Sequence, residues 1–212
     1  MSMLIDSHRF AVAGAAASVV SHSVDTELAA TITVDYPSSM VVGNTLVLVS
    51  GRSNTSVSTA PSGFTEREDQ SNQFCSQTVW TRVIDGSESG SATIIFSTTR
   101  QQVAYMVQVN GTYDASAATG GTGDASTYVL DGVTAATAGL LLSFVTAKDT
   151  SDPLTVFTAP AGMTLGAQDD DGSQQVSAFA WEVVASGATG TRTWSLINGG
   201  SLKACNIVLS DL

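Results

Sequence analysis

Thr59–Thr65 reads TAPSGFT, and Thr158–Thr164, 99 positions further along the chain, reads TAPAGMT. A second pair of segments has nearly the same offset, because AYMVQV at Ala104 matches ACNIVL at Ala204, 100 positions later. Both pairs keep apolar and small residues in the same places. Matching segments at an almost constant offset predict two tandem copies of one unit.

The duplication sets the domain boundaries. The copies are predicted over 28–113 and 124–212 of the 212-residue chain. Residues 114–123 (DASAATGGTG) form a Gly/Ala/Thr-rich bridge with the composition of a linker. Residues 1–27 precede both copies and are interpreted as an N-terminal docking arm.

Each copy contains about six short segments rich in Val, Ile, Thr and aromatic residues, separated by Gly, Pro, Asn, Asp and Ser. No window shows the 3.6-residue apolar period of a helix. The sequence therefore predicts an all-β, jelly-roll-like antiparallel β-sandwich built from two tandem repeats of about six strands each. One compact sandwich is favoured over two separate ones, since a jelly roll is itself two Greek keys. In the first copy the strands are predicted near Ala30–Asp35, Thr45–Ser50, Phe64–Glu68, Phe74–Ile84, Ala92–Ser97 and Val103–Asn110.

The last strand of each copy has one apolar face. Side chains alternate between the two faces of a strand, so every second residue shares a face. The face predicted to point inward comprises Val103, Tyr105, Val107 and Val109 in the first copy and Cys205, Ile207 and Leu209 in the second. Lys203 lies on the same face and is predicted at its rim.

Composition limits the partners. The chain has 19 acidic and 8 basic residues, a net charge of −11, and only 13% charged residues. Such a field repels phosphate backbones and anionic lipid surfaces, which argues against direct nucleic-acid binding and membrane attachment. A weakly charged surface favours burial against other proteins, so we expect a homo-oligomer. Phe10–Val20 could be read as a signal-peptide core, but the preceding residues include Asp6 and no Lys, which favours the arm.

Catalytic residues are scarce. His22 lies in SHSVDTE, close in sequence to Ser21, Ser23 and Asp25, but a Ser-His-Asp site requires a spatial arrangement that adjacency does not supply. Glycosidases use two carboxylates facing each other across a cleft. The candidates Glu66, Glu68 and Glu182 have no acidic counterpart in the other copy. The chain is therefore predicted not to be an enzyme.

Acidic turns are the metal candidates. Asp169 and Asp171, followed by Gly172, resemble half of a calcium loop, although the bidentate Glu of an EF-hand loop is missing. A second cluster, Lys148–Pro153, is also acidic. The alternative is ordinary turn chemistry, which Asp and Gly suit equally well. No cofactor is expected.

Trp80 and Trp181 occupy similar positions in the two copies, opening WTRVIDG and WEVVASG. Aromatic rings on an exposed sandwich face could stack against sugars, whereas buried rings would anchor the core. Cys75 and Cys205 lie in strand-like segments and are predicted to be buried free thiols, with a disulfide as the alternative.

Four short segments of the first copy occur in order: Gly43–Val49 (GNTLVLV), Ala60–Thr65 (APSGFT), Arg82–Gly86 (RVIDG) and Ser91–Ser97 (SATIIFS). In this order they resemble a sandwich module found in tailed-phage virion proteins, and the second copy resembles it more faintly. Asn44 replaces the acid that such modules usually have, and Phe64 replaces the usual Trp. The resemblance implies a virion structural protein and no catalytic residues.

Two functions follow as expectations. The first is a capsid decoration, cement-type or head-appendage protein that docks on other virion proteins and on itself. The alternative is a carbohydrate- or receptor-binding module of a phage tail or head fibre, recognising a host surface glycan. Virion localisation is expected in both cases.

Overall fold

The computed structural model describes residues 16–54, 58–121, 126–148, 156–197 and 201–211. These residues form β-strands without any helix, which confirms the predicted all-β class. The strands are β1 (Ser18–Asp35), β2 (Thr45–Ser53), β3 (Ser58–Thr59), β4 (Thr65–Ser71), β5 (Cys75–Val83), β6 (Ser91–Asn110), β7 (Thr112–Gly121), β8 (Thr127–Leu130), β9 (Thr134–Ala135), β10 (Gly139–Lys148), β11 (Phe157–Thr158), β12 (Thr164–Asp170), β13 (Gln175–Val184), β14 (Gly187–Ala188), β15 (Arg192–Leu196) and β16 (Ser201–Ser210).

Two antiparallel sheets dominate the fold. The first has the order β1-β6-β2-β5-β4, with β3 also paired to β6, and the second has the order β12-β13-β10-β16-β7. All strands of the first sheet come from residues 18–110, and all strands of the second from residues 112–210. The sheets face each other with β2 against β10, β6 against β13 and β5 against β16. The arrangement is consistent with a β-sandwich.

The central core fills the space between these sheets. Both predicted inward faces lie in it, so that part of the sequence interpretation is confirmed. Lys203, predicted at the rim, is only 8% exposed and therefore more enclosed than expected. The core combines Val47, Val49, Val79, Val103, Tyr105, Val107 and Val109 of the first sheet with Leu140, Leu142, Phe144, Phe179, Cys205, Ile207 and Leu209 of the second.

Smaller layers cover the outer faces of both sheets. In the first half, the end of β1 pairs with the start of β6, Ile32 opposite Ile94, and encloses an outer core that includes Leu48. In the second half, β8, β11 and β15 form a three-stranded sheet. This sheet encloses a second outer core, which includes Val145. β9 and β14 form a further two-stranded sheet.

The two halves agree in strand order and in ladder register. Counted from its own edge, the first sheet reads β1-β6-β2-β5-β4 and the second reads β7-β16-β10-β13-β12. A register shift occurs between Glu66 and Glu68 on β4, and another between Leu165 and Ala167 on β12. A duplication requires agreement of this kind, and the duplication itself stays a prediction.

Two segments predicted to lie outside the repeats, 1–27 and 114–123, are partly strand in the structure. The docking arm is predicted over 1–27, before both copies. In the structure β1 begins at Ser18, so its residues up to Glu27 belong to the strand that pairs with β6, while 1–15 lie outside the described residues. The predicted bridge 114–123 is strand as far as Gly121, because β7 pairs with β16. Small residues suit a linker, yet they pair as well as any others when a neighbouring strand supplies the hydrogen bonds.

Candidate functional site

The two tryptophans of the sequence comparison face opposite ways. Trp80 lies opposite Leu48 of the outer core, whereas Trp181 lies opposite Leu142 of the central core. Their positions are therefore not equivalent, because a shift of one residue turns a strand side chain to the other face. Trp194 is the fully buried tryptophan of the second outer core.

Burial decides what these rings can do. Trp80 is 0% exposed, so it offers no face to a sugar. Trp181 is partly buried and packs against the central core. Trp80 therefore acts as a packing residue, whereas Trp181 combines packing with partial exposure, and sugar stacking on Trp181 stays a prediction.

The carboxylate of Asp171 accepts hydrogen bonds from residues of its own turn. Its Oδ1 accepts the backbone N–H groups of Ser173, Gln174 and Gln175 at 3.0, 2.8 and 2.8 Å, and its Oδ2 accepts the Ser173 hydroxyl at 2.9 Å. Asp169 Oδ1 accepts the Asp170 N–H at 2.9 Å. Within the described residues, no group of three or more His, Cys, Asp or Glu side chains could hold a metal ion. In the second acidic cluster, residues 149–153 lie outside the described residues.

His22 is separated from the hydroxyls beside it in sequence. Its ring packs edge-on against Phe179 with centroids 5.3 Å apart, on the side of the second sheet. The hydroxyls of Ser21 and Ser23 donate instead to the carbonyls of Ser38 and Asp35. Alternation along β1 thus divides these groups between two faces.

The candidate carboxylates serve structural contacts. Glu68 accepts a hydrogen bond from Ser116 Oγ at 2.6 Å. Glu182 pairs with Arg192 through both a hydrogen bond and an ion pair. Glu66 is exposed on β4.

Both cysteines are buried and unpaired, as predicted. Burial raises the pKa of Cys75 to about 12, and burial also raises the pKa of Cys205 well above its usual range. The Cys75 thiol lies 3.8 Å from the carbonyl oxygen of Thr146, across the interface between the sheets. The raised pKa values keep both thiols protonated. Because the thiolate is the nucleophilic form of cysteine, these thiols serve as packing groups and not as nucleophiles.

A polar cavity of about 190 Å³ opens at one end of the sandwich. It lies between the sheets, where the ends of β2 and β10 meet. Hydroxyl, amide and cationic groups line it, and these groups suit a polar ligand better than an apolar one. The lining residues are Ser53, Asn54, Arg100, Gln101, Lys148 and Gln174.

One side of the sandwich is closed by contacts between its edge strands β4 and β7. Arg67 lies 3.9 Å above the centroid of the Tyr113 ring, and Glu68 accepts the hydrogen bond from Ser116. Gln70 Nε2 also donates to the carbonyl of Ala204 at 2.7 Å. Charged and polar side chains thus fasten the first sheet to the second along this side.

The opposite side, formed by β1 and β12, has a different surface. Three apolar side chains of β1 are exposed, Val20 at 44%, Val24 at 37% and Leu28 at 66%, and Leu165 of β12 is 45% exposed. We call this side the open side. Sequence reasoning missed it because 18–27 were assigned to an arm, although the apolar residues at 20, 24 and 28 were a usable signal.

Comparisons with protein-family models, curated proteins and solved structures gave no match for this chain. The resemblance to phage virion modules therefore stays a prediction from its motifs. The described residues contain no helix long and apolar enough to span a membrane.

Proposed function

We propose that this chain is a non-enzymatic structural protein of a bacteriophage virion, of the capsid decoration, cement or head-appendage type. It acts by docking on other virion proteins and on copies of itself. The observation that carries the proposal is the open side, with exposed Val20, Val24 and Leu28 along one edge strand. Exposed apolar residues grouped on one side of a soluble protein mark an interaction surface.

Charge supports a protein partner. With a net charge of −11, the chain is repelled by nucleic acid, while its low content of charged residues limits the desolvation cost of burying a surface. The family resemblance adds the virion context. Its four segments lie at strand starts and turns of the first half, including the turn at Gly63, where φ is +82°.

Mass spectrometry of phage particles purified on density gradients tests the proposal. We expect the protein in the particles at a fixed ratio to the major capsid protein, and immunogold label on the head. A protein that stays in the soluble fraction while particles form normally would contradict a virion role. Label confined to tail fibres would instead favour the alternative function, a glycan- or receptor-binding module.

The alternative, a glycan- or receptor-binding module, is favoured by the polar cavity. Binding of neutral and carboxylated oligosaccharides to the whole chain can be measured by calorimetry. If the cavity binds an acidic sugar, Arg100→Gln should weaken binding at least about tenfold, which is roughly 1.4 kcal/mol. Glu27→Gln, a charge change on β1, is the control and should have no effect. Absence of binding to all of these sugars would remove this candidate.

A further inference from the structure

The outer edge of β1 is long, and no strand of the described part of the chain pairs with it. From Ser18 to Ala29 the strand pairs with β6 on one side, and no described strand pairs with it on the other. Half of its backbone N–H and C=O groups therefore point away from the sheet. An edge of this kind is a template for a further strand.

Two of the other edges, β4 and β12, are protected against such pairing. β4 is a strand of seven residues, TEREDQS, with a register shift and four consecutive charged residues. β12 is equally short, has a register shift, and ends at Asp169 and Asp170. Short length, bulges and charges are the usual protections of a sheet edge. β1 also has register shifts, at Val20 and at Ala30, and charges at Asp25 and Glu27. Between the two shifts, however, nine residues, Ser21–Ala29, pair regularly with β6 and present Val24 and Leu28 at the edge.

From these edges we infer that β1 pairs antiparallel with β1 of a second copy, about a twofold axis at Val24. The inference rests on the proposed function, since it names the surface through which self-association occurs. The dimer joins the first sheets of both copies into one continuous sheet. A twofold interface of this type uses the same patch on both subunits.

The sequence of β1 is complementary to itself in this register. Val24 meets its own copy at the axis, and Leu28 of each copy reaches the register shift at Val20 of the other. Apolar side chains directly opposite each other stabilise an antiparallel ladder. The edge therefore gains both hydrogen bonds and apolar contacts.

The charges of β1 select the same register. With the axis at Val24, Asp25 lies opposite Ser23 and Glu27 lies opposite Ser21, so no carboxylate faces another carboxylate. Moving the axis to Asp25 places that residue opposite itself, and moving it to Thr26 places Asp25 opposite Glu27. Like charges directly opposite are destabilising.

The test is cysteine cross-linking of the whole chain, combined with sedimentation. Directly opposite residues of antiparallel strands have Cβ atoms about 4.5–5.5 Å apart, close to the range for a disulfide. Under mild oxidation we expect Val24→Cys to form a covalent dimer. Val183→Cys is the control and should stay monomeric, although the native Val183 side chain is more exposed than Val24, 64% against 37%. The native thiols are buried and do not compete.

Sedimentation velocity supplies the second measurement. The native chain should dimerise with increasing concentration, and Val24→Lys, which places two cations at the axis, should weaken dimerisation at least about tenfold. Val183→Lys is the matched control and should dimerise normally. Circular dichroism of each variant verifies that the fold is retained, and Val24→Cys keeps the test valid if Val24→Lys does not fold.

Three outcomes overturn the inference, and they are distinct from failure of the proposed function. A chain that stays monomeric at all concentrations but is found in particles has no β1 dimer, although the virion role stands. A dimer that Val24→Lys leaves intact, without cross-linking of Val24→Cys, uses another surface. Cross-linking of Val24→Cys to a different particle protein assigns the edge to that partner.

Discussion

Gly51 lies where the first sheet approaches the second. A Cβ atom at this position would collide with the hydroxyl of Thr146 on β10 and with the hydroxyl of Ser177 on β13. Those two hydroxyls are hydrogen-bonded to each other at 2.7 Å, so neither can move without breaking that bond. A single methyl group is therefore enough to disturb the interface between the sheets.

We expect Gly51→Ala to lower the free energy of unfolding by about 1–3 kcal/mol, the usual effect of overpacking a core. Urea unfolding measures the loss. The control is Ser50→Ala at the neighbouring residue, whose buried hydroxyl has no hydrogen-bond partner among the described residues. Removing an unsatisfied buried hydroxyl should cost little. Equal stability of Gly51→Ala and the native chain would mean that the sheets lie further apart.

Because of the buried thiols, we expect the free energy of unfolding to fall as the pH rises into the alkaline range. Cys75 has its pKa raised by burial from 9.0 to about 12, so the folded chain keeps a proton that the unfolded chain loses above about pH 9. The unfolded state then binds fewer protons, and the free energy of unfolding falls as pH rises. The slope is about 1.4 kcal/mol per pH unit for each such thiol.

Urea unfolding between pH 8 and pH 10 measures this slope. Replacing both Cys75 and Cys205 by Ala should flatten it in that window. Burial also raises the pKa of Tyr128 to about 12, and that residue acts with the same sign at higher pH. A thiol reagent should find no reactive cysteine in the native chain and two after denaturation. Rapid labelling of the native chain would contradict the buried positions.

At the scale of elements, the start of β1 at Ser18 separates two N-terminal deletions with different expected effects. Removing residues 1–15 removes no residue of β1, whereas removing residues 1–27 removes the segment that pairs with β6 from Gln102 to Asn110. The longer deletion also takes away Val19, which packs against the central core. The two truncations therefore test different properties.

We expect the chain without residues 1–15 to melt near the native Tm. Loss of residues 1–27 should cost about 2–4 kcal/mol, which lowers the Tm by about 5–15 °C for a chain of this size. Thermal unfolding followed by circular dichroism measures both. An unchanged Tm in the longer deletion would restore the separable arm. Particle incorporation of the shorter deletion then tests docking by residues 1–15 alone.

Apolar alternation made several strands and the inward faces predictable from the sequence. Val103 to Val109 and Cys205 to Leu209 could be placed because one face of each strand is continuously apolar. The same reasoning failed at Trp80 and Trp181, since residue identity was matched at an offset of 101 while the ladders agree at 100. A conspicuous residue type is a weaker guide than the face on which it lies.

The open side was harder to predict, because whether its residues form a strand depends on a neighbouring strand that pairs with them. The apolar residues of 18–28 and the small residues of 114–121 read alike as an arm or a linker until their pairing partners are known. β6 and β16 supply those partners. Local composition cannot reveal a partner about a hundred positions away in the chain, which is why the edges were missed and the inner strands were not.

At the scale of the whole molecule, the halves share one core. Each half contributes one sheet to the central core, so neither sheet can bury that face without the other or a substitute. The Tyr105 hydroxyl adds a polar link, donating to the carbonyl of Ser177 at 2.7 Å across the interface. This favours the single compact sandwich of the sequence analysis over two independent ones.

Unfolding should therefore be cooperative across both halves. Trp80 reports on the first half, and Trp181 and Trp194 report on the second. Trp80→Phe therefore leaves fluorescence from the second half alone, and a double Trp181→Phe, Trp194→Phe variant leaves that of the first half. We expect the urea midpoints from both variants to differ only by the stability change of each substitution, as judged by circular dichroism of the same samples. Residues 1–111 expressed alone should aggregate, because their half of the central core would be exposed to water. Two transitions with separate midpoints, together with a soluble monomeric 1–111 fragment, would show that each half folds independently and that the shared core contributes little.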